Sequence, residues 1–316
     1  MKIFDLRCDT IEALKKHNET FDNSTTQFTM KGQENLEKAV QFLAVWLPDH
    51  LRGQEAVDFT NGYYEYMTEA VGKVADRAAL VEDMSDLDTI LNERKWAFIR
   101  SIESGAALGG KLENVDHFAK LNFKMMTLTW NGINELGSGS QSEMGLTDFG
   151  KAVVRRMEEV GMIVDCSHLN DAGFEDLLNC SAKPFVASHS NLRALCSHSR
   201  NLRDDQFKEI VARGGLCGIN VHSKFLSEPD DLGAGQKEQL LRLIDRMLEL
   251  GGEDVIAWGM DLDGGVTCDP SIGTPYGGAA YGEYLVEHGI SRKIVDKLSF
   301  DNAYRFFTKD QKRCNS

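Results

Sequence analysis

The stretch of sequence that decides the fold runs from Met162 to Arg200 and reads MIVDCSHLNDAGFEDLLNCSAKPFVASHSNLRALCSHSR. Two short apolar runs within it, residues 162–164 and 184–187, are each followed by polar residues and a histidine, His168 and His189. A segment of helical length, residues 171–180, separates the two runs. The pattern predicts strand, helix and strand, with one histidine at the carboxyl end of each strand. Because side chains at these ends lie close together in parallel α/β proteins, the two imidazoles are predicted to bind one metal ion.

The alternation of strand and helix patterns extends along the whole chain. Eight apolar runs are predicted as strands, at residues 2–4, 40–47, 96–102, 124–129, 162–164, 184–187, 216–221 and 255–258. Helical patterns are found at residues 54–74, 112–121, 147–160, 171–180, 204–212 and 236–250, and residues 137–142 and 264–278 are predicted as surface loops. This alternation favours an α/β fold of the (β/α)8 TIM barrel type, formed as a single domain by residues 1–316. A doubly wound sheet is the alternative, but no Gly-rich phosphate loop follows the first strand.

The composition limits the classes of partner. The chain has 316 residues, of which 42% are hydrophobic and 27% charged, as is typical of a soluble globular protein. Its formal net charge of -14 repels nucleic acids and anionic membranes, so neither is expected as a partner. No apolar run is long enough for a signal peptide or a membrane span, and the seven cysteines lack CxxC spacing. A cytoplasmic location with reduced thiols is therefore expected.

Side chains suited to metal binding and catalysis follow several of the predicted strands. In a barrel these strand ends meet in one bowl, so residues far apart in sequence are expected to converge there. Imidazole and carboxylate groups are the usual ligands of Zn²⁺ apart from thiolates, and bound Zn²⁺ makes water a better nucleophile at neutral pH. The residues at these ends are Asp5, Asp9, Glu103, Trp130, His168, His189, Asp261 and Asp263.

Each of these residues also has a structural interpretation. A strand-end histidine more often makes structural hydrogen bonds than binds a metal when no barrel pattern supports it. Glu103 could instead interact with a helix dipole, and the paired aspartates could cap a helix or form a turn. His222, just past the seventh strand, could face the bowl or turn away from it. Solvated or structural positions are expected for His17, His50, His117, His198 and His288.

A set of short motifs in a fixed order resembles the renal (membrane) dipeptidase family of the amidohydrolase superfamily. The first-strand motif is DLRCD at residues 5–9. The others are SIESG at 101–105, LTWN at 128–131, GLTDFG at 145–150, VDCSH at 164–168, SHS at 188–190, SRNLRDD at 199–205 and GMDLDG at 259–264. No single motif is specific, but the ordered set covers nearly the whole chain.

The resemblance implies a two-zinc centre in a hydrolase of dipeptides. It implies that Asp9 is the ligand from the first strand, that Glu103 bridges the two ions, and that His168 and His189 bind the second ion. The remaining matches imply that Arg200 binds the substrate carboxylate and that Asp261 moves the proton of the attacking water. A bidentate guanidinium is well suited to the first of these roles and a carboxylate to the second.

Two positions in the site depart from the family pattern. Arg7 stands where the family has a histidine ligand, and a protonated guanidinium has no lone pair for a metal. Trp130 stands where the family has a histidine that contacts the substrate, and an indole can stack or donate one hydrogen bond but cannot carry a proton. The expectation is therefore one firmly held Zn²⁺, without a firmly held second ion.

The sequence predicts a zinc-dependent, dipeptidase-like hydrolase that cleaves a small peptide or amide with a free carboxylate. Arg200, Trp130 and His222 are predicted to contact this substrate, and a homodimer is left open. The alternative is a catalytically impaired relative that binds a small ligand or partner at the barrel mouth. Arg7 is predicted to pair with Asp9 and Glu103 and to replace the first ion electrostatically; otherwise it points outward in a surface ion pair.

Overall fold

Eight parallel strands close into a barrel in the computed structural model, which describes residues 1–228 and 235–308. The strands are β1 (Lys2–Cys8), β2 (Lys38–Trp46), β3 (Ala78–Leu80), β4 (Trp96–Glu103), β5 (Phe123–Thr127), β6 (Ile163–Asp165), β7 (Val186–Ala187), β8 (Leu216–Ile219) and β9 (Ile256–Trp258). Around the barrel the order is β1, β2, β4, β5, β6, β7, β8 and β9, and β9 pairs again with β1. The fold is a (β/α)8 barrel as predicted, and the open doubly wound sheet is excluded. The predicted domain of residues 1–316 includes residues 229–234 and 309–316, which lie outside the described residues.

The short strand β3 was not predicted from the sequence. It pairs with the first three residues of β4, while β5 pairs with β4 from Arg100 onward. Strand β3 therefore extends the sheet at the amino-terminal end of the barrel and is not one of the eight closing strands. A three-residue strand contains too little alternation of apolar and polar residues to be distinguished from a loop.

Helices pack around the barrel in the order expected for this fold. They are α1 (Thr10–His17), α2 (Gly53–Gly72), α3 (Leu87–Asn92), α4 (Glu113–Lys120), α5 (Asp148–Val160), α6 (Asp171–Cys180), α7 (Asp204–Arg213), α8 (Gln236–Glu249), α9 (Pro275–Glu287), α10 (Arg292–Asp296) and α11 (Asn302–Thr308). All six predicted helices are present, with their ends shifted by no more than about two residues. Capping residues that are visible in the sequence explain why the predicted ends are close to the observed ones. In α5 the Thr147 hydroxyl accepts a hydrogen bond from the Gly150 N–H at 3.0 Å, and Gly161 ends the helix with a φ of 77°.

The predicted loop at residues 264–278 is wrong in its last part, because α9 begins at Pro275. The Thr274 hydroxyl accepts a hydrogen bond from the Gly277 N–H at 3.0 Å, which caps the helix. Proline at the first helical position already has a suitable φ and lacks an N–H that would otherwise need a partner. Several glycines follow and obscure the helical pattern in the sequence. In the part of the chain that the structure describes, no helix is both long and apolar enough to span a bilayer.

The hydrophobic core has two layers. On strand β4, Ala97 and Ile99 share the inward face with Glu103 and join the cluster inside the barrel, whereas Trp96 and Phe98 pack outward under the helices. Phe300 and Phe307, from the carboxyl-terminal helices, complete the inner cluster. The Nζ atoms of Lys2 and Lys38, the first residues of β1 and β2, lie about 6 Å from the Phe300 ring. These residues close the end of the barrel opposite the bowl.

An irregularity in β1 directs Arg7 toward the bowl. Asp5 pairs with Gln41 and Cys8 pairs with Leu43, so three steps along β1 match two steps along β2. Such a bulge inserts one residue and reverses the alternation of inward and outward side chains beyond it. Arg7 therefore points inward above the core, and the buried Cys8 thiol turns to the Phe42 carbonyl at 3.4 Å.

Candidate metal centre

The carboxyl ends of the strands surround a cavity of about 680 Å³. Strand ends and the loops that follow them supply its walls, as the barrel topology requires. Every residue predicted from the sequence to bind substrate lines it, together with Asp9, Glu103, His168 and Asp261. His189 and Arg7 lie deeper and are almost fully buried. The structure therefore brings the predicted metal, substrate and catalytic residues to one place. Asp5 does not line the cavity, and its carboxylate accepts hydrogen bonds from the Gln41 amide at 3.0 Å and the Met260 N–H at 2.8 Å.

Three potential metal ligands converge at the base of this cavity. The Glu103 Oε1 atom lies 2.8 Å from His168 Nε2 and 3.5 Å from His189 Nε2. The two Nε2 atoms are 2.9 Å apart, and all three side chains are buried. Ligand atoms at about 2.0–2.2 Å from one Zn²⁺ must lie within about 4.4 Å of each other, and these three atoms satisfy that limit.

A chain of hydrogen bonds fixes the orientation of the His189 ring. The Ser188 hydroxyl donates to Asp165 Oδ2 at 2.6 Å, and its oxygen lies 2.7 Å from His189 Nδ1. Because the hydroxyl proton is directed at the carboxylate, the oxygen accepts the proton of Nδ1. The Nε2 atom then has a free lone pair toward Glu103, which is the tautomer that a metal ligand requires.

The His168 ring is oriented by a different neighbour. Its Nδ1 atom lies 2.9 Å from the amide oxygen of Asn131, an acceptor, so the ring proton is on Nδ1 and Nε2 is free. His168 has a φ of 72°, an uncommon backbone conformation for a residue with a side chain. Burial lowers the pKa of both histidines well below the usual value, and the nearby Arg200 and Arg7 charges lower it further. Both rings are therefore neutral, as ligands must be.

The donor set fits a divalent metal. Two neutral imidazoles with facing lone pairs repel each other when no cation lies between them, and their 2.9 Å separation has no proton to share. The neighbouring Glu103 carboxylate supplies negative charge without supplying a proton. Two nitrogen ligands and one carboxylate oxygen match the sets found in catalytic zinc sites.

Arg7 lies beside this triad and contacts three carboxylates. Its Nη2 atom forms a hydrogen bond with Glu103 Oε2 and lies 2.8 Å from Asp9 Oδ1, and its Nε atom lies 3.4 Å from Asp261 Oδ1. The contact with Asp9 is an ion pair without the alignment of a hydrogen bond. Only 2% of Arg7 is exposed, so the alternative of an outward-pointing surface ion pair is wrong.

Burial and neighbouring charges shift the pKa values of the carboxyl groups around Arg7. Burial raises the pKa of Asp9 and of Asp261, and the Arg7 guanidinium opposes this effect by stabilising the ionised forms. The negative charge of Asp261 raises the pKa of Asp9 further. Because a fixed guanidinium contacts both Asp9 and Glu103, the residues present do not fit a second metal ion between those two carboxylates.

Arg200 and its neighbours form the opposite side of the cavity. Arg200 is 7% exposed, its Nη1 atom has no hydrogen-bond partner among the described residues, and burial lowers its pKa to about 10. Its guanidinium carbon lies 5.8 Å from the centre of the Phe225 ring. His222 packs edge-to-face on the same ring with centroids 5.0 Å apart, and it lines the cavity.

Trp130 forms part of the aromatic wall of the cavity. Its ring packs edge-to-face against Trp46 with centroids 5.0 Å apart, and it lies 6.4 Å from the His168 ring. Asp263, in contrast, accepts hydrogen bonds from the Thr10 hydroxyl and the Gln27 N–H, both at 2.6 Å. These hydrogen bonds give Asp263 a structural role.

Several residues of the site were not identified from the sequence. Asn131, Ser188 and Asp165 orient the two histidines, yet the motifs that contain them gave no reason to assign them this role. His198 was expected to be solvated or structural, but it lines the cavity and packs on Phe225 with centroids 4.7 Å apart. The position of Ser188 next to His189 was the available signal, because metal-binding histidines usually have a second hydrogen-bond partner.

Comparison with known proteins shows similarity over most of the chain. The "Uncharacterized protein in pqqA 5'region" of Klebsiella pneumoniae is 27% identical over 253 residues, which cover 76% of this chain and 91% of that protein. The crystal structure of the dipeptidase AC, a metallopeptidase of family M19, superposes with a TM-score of 0.90 at 23% identity and covers 98% of both chains. A metallopeptidase from Rhodobacter sphaeroides, liganded with a phosphinate mimic of the dipeptide L-Ala-D-Ala, gives 0.88 at 23% identity and covers 97% of this chain and 98% of that one.

These solved structures support the barrel fold, and a family profile extends the match to the sequence. The profile described as membrane dipeptidase (peptidase family M19) matches residues 1–315, which is nearly the whole chain. The protein therefore belongs to the membrane dipeptidase family, peptidase family M19.

Proposed function

We propose that this protein is a metal-dependent hydrolase that cleaves a dipeptide, or a dipeptide-like amide with a free carboxylate. The observation that carries the proposal is the convergence of Glu103 Oε1, His168 Nε2 and His189 Nε2 at the base of the cavity. Both rings are buried, neutral and fixed in the tautomer that leaves Nε2 free. Membership of a family of metal-dependent dipeptidases supports the same reaction class.

Zn²⁺ is the metal that we propose for the triad, with one ion bound per chain. Two imidazoles and one carboxylate suit zinc better than they suit the oxygen-preferring Mg²⁺ or Ca²⁺. When bound, such an ion acts as a Lewis acid toward water or a carbonyl oxygen. The protein's part is to hold both rings rigidly through Asn131 and Ser188 and to exclude water from around them.

Asp261 and Arg200 are also assigned roles in the reaction. Asp261 lies at the edge of the cavity, where its Oδ2 atom accepts a hydrogen bond from the Asn220 amide at 3.0 Å. Its Oδ1 atom lies 3.4 Å from Arg7 Nε, and the residue lines the cavity. Asp261 is therefore assigned to take a proton from water and return it to the leaving amine. Arg200 lines the cavity, its Nη1 atom has no hydrogen-bond partner among the described residues, and it is assigned to the substrate carboxylate.

Arg7 is proposed to replace the first metal of the family as a fixed positive charge. It compensates the charges of Asp9, Glu103 and Asp261, which would otherwise repel one another in a buried site. A guanidinium can also donate hydrogen bonds to a developing negative charge on a carbonyl oxygen. It cannot activate water as a metal ion does, so the activity is expected to be lower than that of a relative with two ions, or directed to a different amide.

A second candidate function is a binding protein without catalysis. Arg7 in the place of a metal ligand and Trp130 in the place of a proton-carrying histidine both favour it, because the two substitutions affect chemistry more than ligand binding. The cavity would then accept a small zwitterionic ligand or partner at the barrel mouth. This candidate differs from the first only in the chemical step, so turnover distinguishes them.

The test is to purify the protein, measure its metal content, and assay a panel of dipeptides with and without added Zn²⁺. Hydrolysis that is lost when a chelator removes the metal, returns when Zn²⁺ is added back, and is lost in His189→Ala supports the hydrolase. Zinc-independent release of amino acids, equal in the variant and the parent, contradicts the proposed centre. Binding of dipeptides without turnover selects the second candidate.

The biological setting remains a prediction from the sequence. The acidic net charge argues against nucleic acid and anionic membrane as partners, and the odd number of dispersed cysteines favours a reducing, cytoplasmic location. Whether two copies associate as a homodimer is left to measurement of the mass in solution.

A further inference from the structure

We infer that the cavity selects dipeptides whose second, carboxyl-terminal residue is itself acidic, with Lys224 binding the side-chain carboxylate. The inference rests on the proposed function in one respect, namely that a dipeptide occupies this cavity with its terminal carboxylate on Arg200. It goes further by assigning a specificity-determining residue and a class of substrate. The residues that carry it are His198, Arg200, His222 and Lys224, called here the cationic wall.

The cationic wall is built around one aromatic ring. His198, Arg200 and His222 all pack on Phe225, with distances of 4.7, 5.8 and 5.0 Å to the centre of its ring. Arg200 is almost fully buried and its Nη1 atom has no partner in the described chain. A buried guanidinium with an unsatisfied donor indicates a site prepared for an anionic group.

The two histidines add polar ring nitrogens to this wall. The Nδ1 atom of His198 accepts the backbone N–H of Arg200 at 3.2 Å, so the proton of the neutral ring is on Nε2. The Nδ1 atom of His222 is engaged by the backbone of Thr267, at 3.2 Å from its nitrogen and 3.4 Å from its oxygen. Both residues line the cavity, and in each the Nε2 atom remains for a ligand.

Lys224 lies in the same wall, and its side chain makes no hydrogen bond or ion pair with the residues that the structure describes. It is exposed, lines the cavity, and makes no ion pair with an acidic side chain of the described chain. Its backbone is held in place, because the Cys196 thiol contacts the Lys224 carbonyl at 3.3 Å. The Asn191 and Asn201 amides both donate to the Phe225 carbonyl, at 3.1 and 3.0 Å. These contacts join the loop after β8 to the loop after β7 and hold the backbone of Lys224 in the part of the cavity wall that includes Phe225.

The opposite side of the cavity is acidic and aromatic. In the barrel order β2 lies opposite β7, so Trp46 at the end of β2 faces the loop that carries Arg200. Glu12 of α1, together with Asp9 and Asp263, gives this side its negative charge, and Lys16 of α1 offsets part of it. A zwitterionic dipeptide is therefore oriented with its amine toward α1 and its carboxylate toward the cationic wall.

One terminal carboxylate does not use all the donors of the cationic wall. Arg200 can bind it with a bidentate contact, which leaves the ammonium of Lys224 close by and unpaired. A substrate with aspartate or glutamate at the second position supplies the second negative charge. Because Lys224 is exposed, the gain from this pair is modest, on the order of threefold to tenfold in affinity.

The test compares Ala-Glu with Ala-Gln, which have nearly the same shape and differ by one charge. Binding to the metal-depleted and zinc-loaded full-length protein is measured by calorimetry at low ionic strength, and kcat/KM is measured where turnover occurs. The variant is Lys224→Met. The matched control is Lys16→Met, which removes a lysine from the opposite side of the same cavity.

The expected result is a preference of about threefold to tenfold for Ala-Glu in the parent and in Lys16→Met, which falls to about one in Lys224→Met. Equal affinity for both dipeptides in the parent, or a preference that survives in Lys224→Met, overturns the inference. Preferential binding without hydrolysis supports the Lys224 subsite and contradicts the hydrolase. Equal hydrolysis of Ala-Glu and Ala-Gln supports the hydrolase and contradicts the Lys224 subsite.

Discussion

Arg7 and Asp9, two residues apart at the end of β1, form a buried ion pair in which Arg7 Nη2 lies 2.8 Å from Asp9 Oδ1. The same nitrogen forms a hydrogen bond with Glu103, so one guanidinium joins the two carboxylates. The resemblance assigns both carboxylates to the first metal site, where we propose that Arg7 takes the place of the ion. The consequences concern metal content, activity and the stability of the site.

The first prediction concerns the number of metal ions. The purified protein should retain about one zinc ion per chain after dialysis, because Glu103, His168 and His189 are the only group of three converging ligand atoms among the residues that the structure describes. Elemental analysis by mass spectrometry measures this directly. Retention of two equivalents would show that Arg7 moves aside to admit a second ion.

The second prediction concerns the two departures from the family. Restoring histidine in Arg7→His with Trp130→His should allow a second Zn²⁺ to bind and should raise dipeptidase kcat/KM by about 100-fold, or about 2.7 kcal/mol of barrier. Metal content and rate are measured on the same samples. Trp130→His alone is the control, and it should bind no additional metal. A parent that already turns over dipeptides at a typical enzyme rate, with no gain in the double variant, would show that Arg7 is not limiting.

The contrast between His168 and Arg7 shows how far the sequence determines the site. His168 and His189 follow strands whose apolar runs are readable, and a barrel brings all such strand ends together whatever the details of packing. The direction of Arg7 depends on a bulge in β1 that appears only when the register against β2 is known. The roles of Asn131 and Ser188 depend on side-chain contacts between loops, which strand and helix patterns do not contain. The cationic wall likewise arises from the packing of two loops on Phe225.

The third prediction tests the ligands. His189→Ala should weaken zinc binding by at least about 100-fold and leave the circular dichroism spectrum unchanged, since the ring lies above the barrel core. His50→Ala, in an exposed turn, is the matched control and should retain the metal. Full zinc occupancy in His189→Ala would mean that the metal is bound elsewhere.

The fourth prediction concerns pH and Asp171, at the start of α6. Partial burial raises the pKa of its carboxyl, but hydrogen bonds from Arg193, Gln206 and Arg203 outweigh this effect and lower the pKa to about 2. The group is ionised in the folded state at a pH where the unfolded chain would be protonated. Its contribution is therefore complete above about pH 4 and is lost as the pH falls toward 2.

Asp171→Asn should accordingly reduce the free energy of unfolding by about 1 kcal/mol at pH 7 and at pH 5, a modest value because the carboxylate is partly exposed. The difference from the parent should shrink below pH 4. Urea unfolding across this range measures it. Asp148→Asn removes a carboxylate at the equivalent first position of α5, where it makes no ion pair with an arginine of the described residues. This variant separates the helix-dipole effect from the ion pairs. If the free energies of unfolding of Asp171→Asn and the parent differ by the same amount from pH 7 to pH 3, the ionised carboxylate is not the source of the difference.

The last prediction concerns the close approach of backbones beneath the triad. A Cβ atom on Gly259 would lie 1.8 Å from the Ser188 carbonyl oxygen, so alanine at this position must displace the strand that carries Ser188 and His189. Gly259→Ala should therefore lower the free energy of unfolding by about 1–3 kcal/mol and weaken zinc binding, because the Ser188 hydroxyl orients His189. Gly62→Ala is the control: it lies within α2 with no atom within 4 Å of the added carbon, and should stabilise the protein by about 0.5–1 kcal/mol. If Gly259→Ala keeps both its stability and its zinc, the position of His189 does not depend on this contact, and the hydrogen bonds of Ser188 alone determine it.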